Sequence, residues 1–171
     1  YAYYEKRLKE MYGLDFDDLL IFAYRILKDK EEVRAKWQRR FTYIHVDEFQ
    51  DVDNLQYAII RLLVGDHSYL CVVGDPDQTI YTWRGAQVDI IMNFERDFPD
   101  SKTVILNQNY RSTQPILNGA NALIRNNRNR IEKDLFTEVE GDNPIIHFTA
   151  MDDANEPVWV ASRIMALSHS G

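Results

Sequence analysis

Two adjacent carboxylates follow a short apolar run and are the first groups suited to chemistry. The run ends at Val46 and continues directly into Asp47 and Glu48. Because side chains alternate along an extended segment, the two acids point in different directions. One can hold a magnesium ion while the other orients or deprotonates a water that attacks a phosphate. Acidic pairs also end ordinary strands, so this pair alone predicts either a nucleotide-hydrolysis site or a solvated strand end.

A second segment combines a neutral amide with aromatic rings and a cation. An apolar run opens into a turn at Gly74, and Gln78 follows in the same loop. A glutamine amide both donates and accepts hydrogen bonds, so it can respond to a phosphate or a water without proton transfer. Tyr81, Trp83 and Arg84 supply flat faces and a cation, which suit unpaired bases. On composition alone, a core position is the commoner explanation of Trp83.

A third segment places Tyr110 directly before Arg111. An aromatic ring followed by a guanidinium can stack on a base and reach a phosphate. A packed tyrosine at a helix start beside a surface arginine explains the same pair, so this segment alone is weak evidence.

Three apolar runs precede these groups and are predicted as strands: Phe41–Val46, Tyr69–Val73 and Thr103–Leu106. Helical patterns separate them at Leu55–Val64 and Val88–Phe98. Short apolar strands alternating with helices indicate an α/β fold with a parallel sheet buried on both faces. Ligands of such sheets bind at the carboxyl ends of the strands. We therefore expect the three polar clusters to share one site.

Further elements flank this core. Asp15 and Asp153 are predicted N-caps, and Pro115 suits the first turn of another helix. The remaining predictions are a helix over Tyr1–Tyr12, a charged helix over Glu31–Arg40 and a strand over Ile145–Phe148.

Composition narrows the class of protein. The formal net charge of -7 argues against a protein that simply coats nucleic acid, although a local basic channel remains compatible with it. The single cysteine, Cys71, allows no internal disulfide and is expected to be a small buried residue in a reducing, cytoplasmic compartment. No apolar run approaches the roughly 20 residues that span a bilayer, so no membrane partner is expected. The chain starts without methionine and is interpreted as an internal piece.

The order and spacing of these segments resemble helicase motifs II, III and IV of the UvrD/Rep/PcrA-type superfamily 1 DNA helicases. The matching segments are Asp47–Asp51, Gly74–Ala86 and Gln108–Ser112. Leu14–Leu20 resembles the extra motif just upstream, and Lys133–Thr137 resembles a family segment after motif IV. The match to motif III is long and highly specific.

The resemblance implies ATP and Mg²⁺ as cofactors and assigns each motif residue a role. Asp47 would bind magnesium, and Glu48 would be the catalytic base. Gln78 would sense the γ-phosphate and link it to DNA binding. Tyr110 would stack on the adenine, and Arg111 would contact the γ-phosphate as an arginine finger.

The resemblance also implies single-stranded DNA and duplex junctions as partners, with movement in the 3'-to-5' direction. Trp83 and Tyr81 would stack on bases of the single strand. Phe16 would be a further contact, and Arg84 would lie between the nucleotide and DNA sites.

The fold implied is an incomplete RecA-like P-loop NTPase domain followed by the start of a second. We place the boundary near Asn107, giving residues 1–107 and 108–171. Residues 1–12 are candidates for the end of an inserted helical subdomain. Arg111 would then belong to the second motor domain.

One expected element of the family is missing from the sequence. No G-x-x-x-x-G-K-[ST] pattern occurs, so no loop of this type cradles the β- and γ-phosphates. We expect this chain alone to bind ATP poorly and to hydrolyse none, because the remainder of the helicase chain would be needed to complete the site.

Two alternatives are compatible with the same residues. One is a non-enzymatic remnant of the same fold that binds single-stranded DNA or a partner. The other, less favoured, is a metal-dependent nuclease built on Asp47, Glu48, Asp51 and Asp75.

Overall fold

The computed structural model describes residues 1–127 and 130–170. The chain is mixed α/β and divides into two compact units. The first comprises Tyr1–Ile105 together with Asn127–Lys133, and the second comprises Leu106–Asn126 together with Asp134–Gly171. Within the described ranges, no helix is both long and apolar enough to cross a bilayer.

The first unit begins with three helices: α1 (Ala2–Glu10), α2 (Phe16–Asp29) and α3 (Glu31–Arg40). The predicted N-cap at Asp15 is confirmed, because its carboxylate accepts a hydrogen bond from the amide of Asp18 at 2.8 Å. The Asp18 carboxylate bonds back to the amide of Asp15, which completes a capping box.

Two parallel strands form the sheet of this unit. Strand β1 (Tyr43–Val46) pairs with β2 (Tyr69–Val72), so that Val46 lies opposite Val72. Helix α4 (Asn54–Leu63) makes the crossover that parallel strands require, and it packs on α2. The expectation that the carboxyl ends of β1 and β2 lie together is therefore confirmed.

A buried aromatic cluster supports the end of β1. Phe49 is completely buried and makes T-shaped ring contacts with Tyr57 and Phe94, at 6.1 and 5.6 Å between ring centroids. Two short helices follow, α5 (Val88–Met92) and α6 (Phe94–Asp97), and Phe94 of the cluster is the first residue of α6. The predicted continuous helix over 88–98 is interrupted at Asn93, whose side chain bonds to the carbonyl of Asp89 at 2.8 Å and competes with the helical backbone.

Two strand predictions were wrong. Residues 103–106 and 145–148 form no strand, because no described segment pairs with them, and Val104 and Leu106 are exposed. Among the described residues, the sheet of the first unit has two strands, and its residues alternate between exposed and half-buried. It is thus not covered on both faces, and Cys71 is exposed rather than buried.

The second unit is smaller. Strand β3 (Gln108–Asn109) pairs in parallel with β4 (Phe136–Thr137), and helix α7 (Gln114–Ile124) lies between them in sequence. Asn121 is buried on α7, and its side chain bonds to both backbone groups of Leu135, at 2.8 and 3.1 Å. Helix α8 (Asn155–Ser170) follows, and its first amide bonds to Asp152 rather than to the predicted cap Asp153.

Two ion pairs hold residues 130–133 in the first unit. Lys133 Nζ contacts Asp75 Oδ1, and Arg130 Nε lies 3.4 Å from Asp77 Oδ2. Burial alone would raise the pKa of the Asp75 carboxyl. Hydrogen bonds from Lys133 and Gln78, together with the Lys133 charge, outweigh burial and hold this pKa below its usual value.

Replacing Lys133 with methionine is expected to lower the free energy of unfolding at neutral pH by on the order of 1 kcal/mol, because the half-buried Asp75 carboxylate loses its cation. Because the pKa of the Asp75 carboxyl is lower in the folded protein than in the unfolded chain, its ionisation stabilises the fold. This stabilisation is present at pH values above the unfolded pKa, which is about 3.9. This contribution disappears as the pH falls through the folded pKa. Urea unfolding at a series of pH values measures the difference, which should narrow in acid.

The control is Lys102→Met, since Lys102 is exposed and makes no ion pair within residues 1–127 and 130–170. A stability difference for Lys133→Met that is constant from neutral to acid pH would contradict the role of Lys133 in lowering the Asp75 pKa.

Candidate functional site

Asp47 and Glu48 lie at the carboxyl end of β1, and both are exposed. Asp47 Oδ1 accepts a hydrogen bond from the amide of Glu48 at 2.9 Å. Glu48 has a left-handed backbone conformation, with φ 49° and ψ 42°. A non-glycine residue in this region costs roughly 1 kcal/mol or more, and such strain clusters at functional sites.

The surrounding contacts explain why this strain is tolerated. The left-handed turn at Glu48 directs the chain into a short 3₁₀ turn, Phe49–Asp51. Phe49 is thereby buried in the aromatic cluster, and its amide donates to the carbonyl of Val73 at 2.9 Å. Burial of a phenylalanine side chain stabilises the fold by about 1.5–3 kcal/mol, which exceeds the cost of the turn.

Gln50 is the site residue to which the sequence assigned no role. Its side chain is only 1% exposed. Its Nε2 donates to Glu48 Oε2 at 2.7 Å, and its Oε1 accepts from the amide of Asp75 at 2.9 Å. One buried amide thus joins the two strand ends, a link that no local pattern predicts because the bonded residues are 25 apart in the chain.

Gly74 allows this arrangement. A Cβ atom at position 74 would lie 2.6 Å from Gln50 Oε1 and 2.9 Å from the side chain of Ile91. Both distances are shorter than real Cβ contacts allow, so any larger residue would displace the Gln50 amide or the helix beside it.

Asp75 and Gln78 extend the same hydrogen-bonded network. Asp75 caps the 3₁₀ turn Pro76–Gln78, where its carboxylate accepts from the amide of Asp77 at 3.1 Å. Gln78 is exposed, and its Nε2 donates to Asp75 Oδ2 at 2.9 Å. Glu48 and Gln78 are therefore connected through Gln50 and Asp75 without touching each other.

Tyr81, Trp83 and Arg84 form an exposed group that we call the aromatic platform. Trp83 is 73% exposed, so the core position that composition favoured is wrong. The two ring centroids are 6.3 Å apart, and the Arg84 guanidinium lies 5.2 Å from the centroid of Tyr81 and 4.7 Å from that of Trp83. These distances are typical of cation–π contacts.

The aromatic platform is anchored to the segment that follows Glu48. Gly85, with φ 96°, ends the short turn that carries Trp83 and Arg84. The next residues are tied down, because Ala86 is buried and the amide of Gln87 donates to the carbonyl of Val52 at 3.2 Å. The platform and the acidic pair are thus attached to one backbone segment.

Phe16 stands apart from this group. It is the first residue of α2 and is 88% exposed. Within the described part of the chain, it makes no ring contact with Tyr81 or Trp83. Phe16 is therefore accessible to solvent but is not part of the aromatic platform.

Tyr110 and Arg111 belong to the second unit and are both exposed. Asn109 shapes their turn, because its Oδ1 accepts from the amides of Arg111 and Ser112 at 2.9 and 2.7 Å. The Tyr110 hydroxyl donates to Gln108 Oε1 at 3.0 Å, which leaves the ring face accessible.

The carboxylates fit a magnesium ion of the kind that is bound with a nucleotide. Such an ion takes one or two carboxylates and completes its shell with water and substrate phosphates. Asp47 suits this role because it is exposed at the strand end and only its Oδ1 bonds within the described ranges. No group of three or more metal-binding side chains occurs there, and Asp75 is paired with Lys133.

Three curated relatives are similar to the chain over nearly all of its length. A probable DNA helicase II homolog of Mycoplasma capricolum is 42% identical over 171 residues. The ATP-dependent DNA helicase PcrA of Staphylococcus epidermidis is 43% identical over 171 residues, and that of Leuconostoc citreum is 43% identical over 167 residues. They cover 100%, 100% and 98% of this chain, which spans only 24%, 24% and 22% of their lengths.

Domain patterns match the same regions. Residues 104–171 match the UvrD-like helicase C-terminal domain. Residues 1–99 match the UvrD/REP helicase N-terminal domain, which is more than half of the chain. Together with the strand-end acids, the Gln78 loop and the aromatic platform, these matches show that the chain belongs to the UvrD/REP helicase family.

Proposed function

We propose that this chain is part of the motor core of an ATP-dependent DNA helicase that moves 3' to 5' on single-stranded DNA and separates duplexes. The observation that carries the proposal is the hydrogen-bonded network from Glu48 through Gln50 and Asp75 to Gln78. The network lies on the backbone segment that also anchors the exposed aromatic platform. The groups suited to phosphate chemistry are therefore attached to the same backbone segment as the groups suited to unpaired bases.

The acidic pair supplies the hydrolytic chemistry. Asp47 would hold Mg²⁺, which neutralises charge on the phosphates of the nucleotide. Glu48 orients the attacking water and accepts its proton as the water oxygen bonds to the γ-phosphorus and the bond to ADP breaks. The exposed position of both carboxylates at one strand end is consistent with this division of labour.

Three further residues are proposed to contact the nucleotide. Gln78 senses the γ-phosphate, because its neutral amide can exchange the bond to Asp75 for one to phosphate or water. Tyr110 stacks on the adenine through its exposed ring. Arg111 stabilises the charge that develops on the transferred phosphoryl group.

The DNA contacts are assigned to exposed aromatic side chains. Trp83 and Tyr81 stack on bases of the single strand, a contact that tolerates any sequence because every base has a flat face. Arg84, already held against both rings, reaches a backbone phosphate. Phe16 provides a further contact, and duplex junctions are the substrates to be opened.

The domain interpretation belongs to the same proposal. We assign residues 1–107 to the first RecA-like motor domain and residues 108–171 to the start of the second, with residues 1–12 as the end of an inserted helical subdomain. The parallel pair β1–β2 with its helical crossover supports a RecA-like arrangement in the first unit.

The chain by itself is expected to show no ATP turnover, because its sequence contains no Walker A loop to hold the β- and γ-phosphates. Phosphate release from ATP, measured with and without single-stranded DNA, tests this. A robust rate stimulated by DNA would contradict the expectation.

Glu48→Gln in the full-length protein is expected to lower kcat by roughly 100-fold or more while nucleotide binding is retained, because the amide cannot accept the proton of water. The substitution keeps the size of the side chain and an acceptor for Gln50. DNA-stimulated ATP turnover and the affinity for a fluorescent ATP analogue are the two measurements.

Glu132→Gln is the matched control, since Glu132 is exposed and outside the network. Undiminished turnover in Glu48→Gln would overturn the assignment of the base. A full-length protein that binds single-stranded DNA without any turnover would instead favour the non-enzymatic alternative.

Trp83→Ala is expected to weaken binding of single-stranded DNA by about 1–3 kcal/mol, because a stacked base loses its platform. Trp83→Phe should retain much of the affinity, since a flat face remains. Fluorescence anisotropy with labelled oligonucleotides measures both. Tyr3→Ala, at an exposed ring on α1, serves as the control, and equal losses in Trp83→Ala and the control would refute a specific platform.

A further inference from the structure

The carboxylate of Glu48 has a single side-chain donor within the described residues, the Nε2 of Gln50, which contacts Oε2 at 2.7 Å. An amide donor orients a carboxylate without adding a charge and without exchanging a proton with it. Glu48 Oε1 makes no hydrogen bond within the described part of the chain, so this oxygen remains available to a water.

The Oε1 atom of Gln50 is also held by neighbouring groups. It accepts from the amide of Asp75, and Gly74 packs directly against that oxygen. Asp75 in turn binds Gln78 and Lys133 through its two carboxylate oxygens. With 1% of its side chain exposed, Gln50 has no solvent to replace either bond.

We propose that Gln50 is a positioning residue that orients Glu48 Oε1 toward the attacking water. It also couples this orientation to the position of the Gly74–Asp75 turn. The inference rests on the proposed function of Glu48 as the base. A shift of the turn that carries Gln78 moves the amide of Asp75, and the Gln50 side chain transmits that shift to Glu48. Gln50 acts through Glu48 and touches no substrate.

The test uses the full-length protein with ATP and single-stranded DNA. Gln50→Met removes both hydrogen bonds at nearly constant volume. Gln50→Glu keeps the acceptor for the Asp75 amide but replaces the donor to Glu48 with a second carboxyl group, so it opposes that contact. Both variants are expected to lower kcat on the order of 10- to 100-fold, with KM for ATP and the affinity for a fluorescent ATP analogue largely unchanged.

Gln38→Met is the matched control for a structural glutamine. The Gln38 amide donates to the carbonyls of Leu62 and Val64, at 2.9 and 3.3 Å, away from the network. This variant should lower the midpoint of thermal unfolding and leave kcat unchanged, which separates loss of stability from loss of positioning.

A double-mutant cycle decides whether Gln50 acts through Glu48. In a Glu48→Gln background, Gln50→Met should cause no further loss of the residual turnover. An additional loss of the same size as in the parent would overturn the proposal. Loss of nucleotide binding in parallel with kcat, in both Gln50 variants, would mark Gln50 as a packing residue and would also overturn it.

A parent protein without DNA-stimulated ATP turnover overturns the proposed function and this inference with it. An active parent whose kcat survives Gln50→Met and Gln50→Glu overturns the positioning role alone.

Discussion

The buried amide of Gln50 holds the end of β1 against the end of β2, and the rest of the site is arranged around it. Its two hydrogen bonds, at 2.7 and 2.9 Å, use a donor and an acceptor on one side chain. An amide offers both without a charge. A buried polar group is costly when unpaired, so satisfying both ends makes this contact rigid and selective for glutamine.

Two local features of the backbone serve this contact. Glu48 adopts a left-handed conformation that is unfavourable for a residue with a side chain, and position 74 must be glycine because Gln50 occupies the space of a Cβ. Burial of Phe49 in the aromatic cluster stabilises the turn. Core packing thus supports a strained acidic residue at the sheet edge, as expected when a site is built on a stable element.

The aromatic platform and residues 130–133 are attached to the same part of the first unit by different interactions. Backbone hydrogen bonding to Val52 fixes the start of α5 next to the platform, whereas the pairing of Lys133 with Asp75 is electrostatic. Lys133 and Asp75 are 58 residues apart in the chain. Hydrogen bonds from the distant Lys133 and the nearby Gln78 therefore both lower the pKa of the Asp75 carboxyl.

Residue types and spacing were sufficient to predict the parallel β1–β2 pair, the Asp15 cap and the placement of the acids and Gln78 at one sheet edge, because periodicity, capping and turn chemistry act over a few residues. The predicted strands over 103–106 and 145–148 and the predicted burial of Cys71 were wrong, because pairing and burial depend on which segments pack nearby. The sequence by itself determined which chemical groups stand at each strand end. Only the tertiary structure decided that Gln50 connects Glu48 to Asp75 and that Lys133 binds Asp75, because these contacts join residues that are distant along the chain.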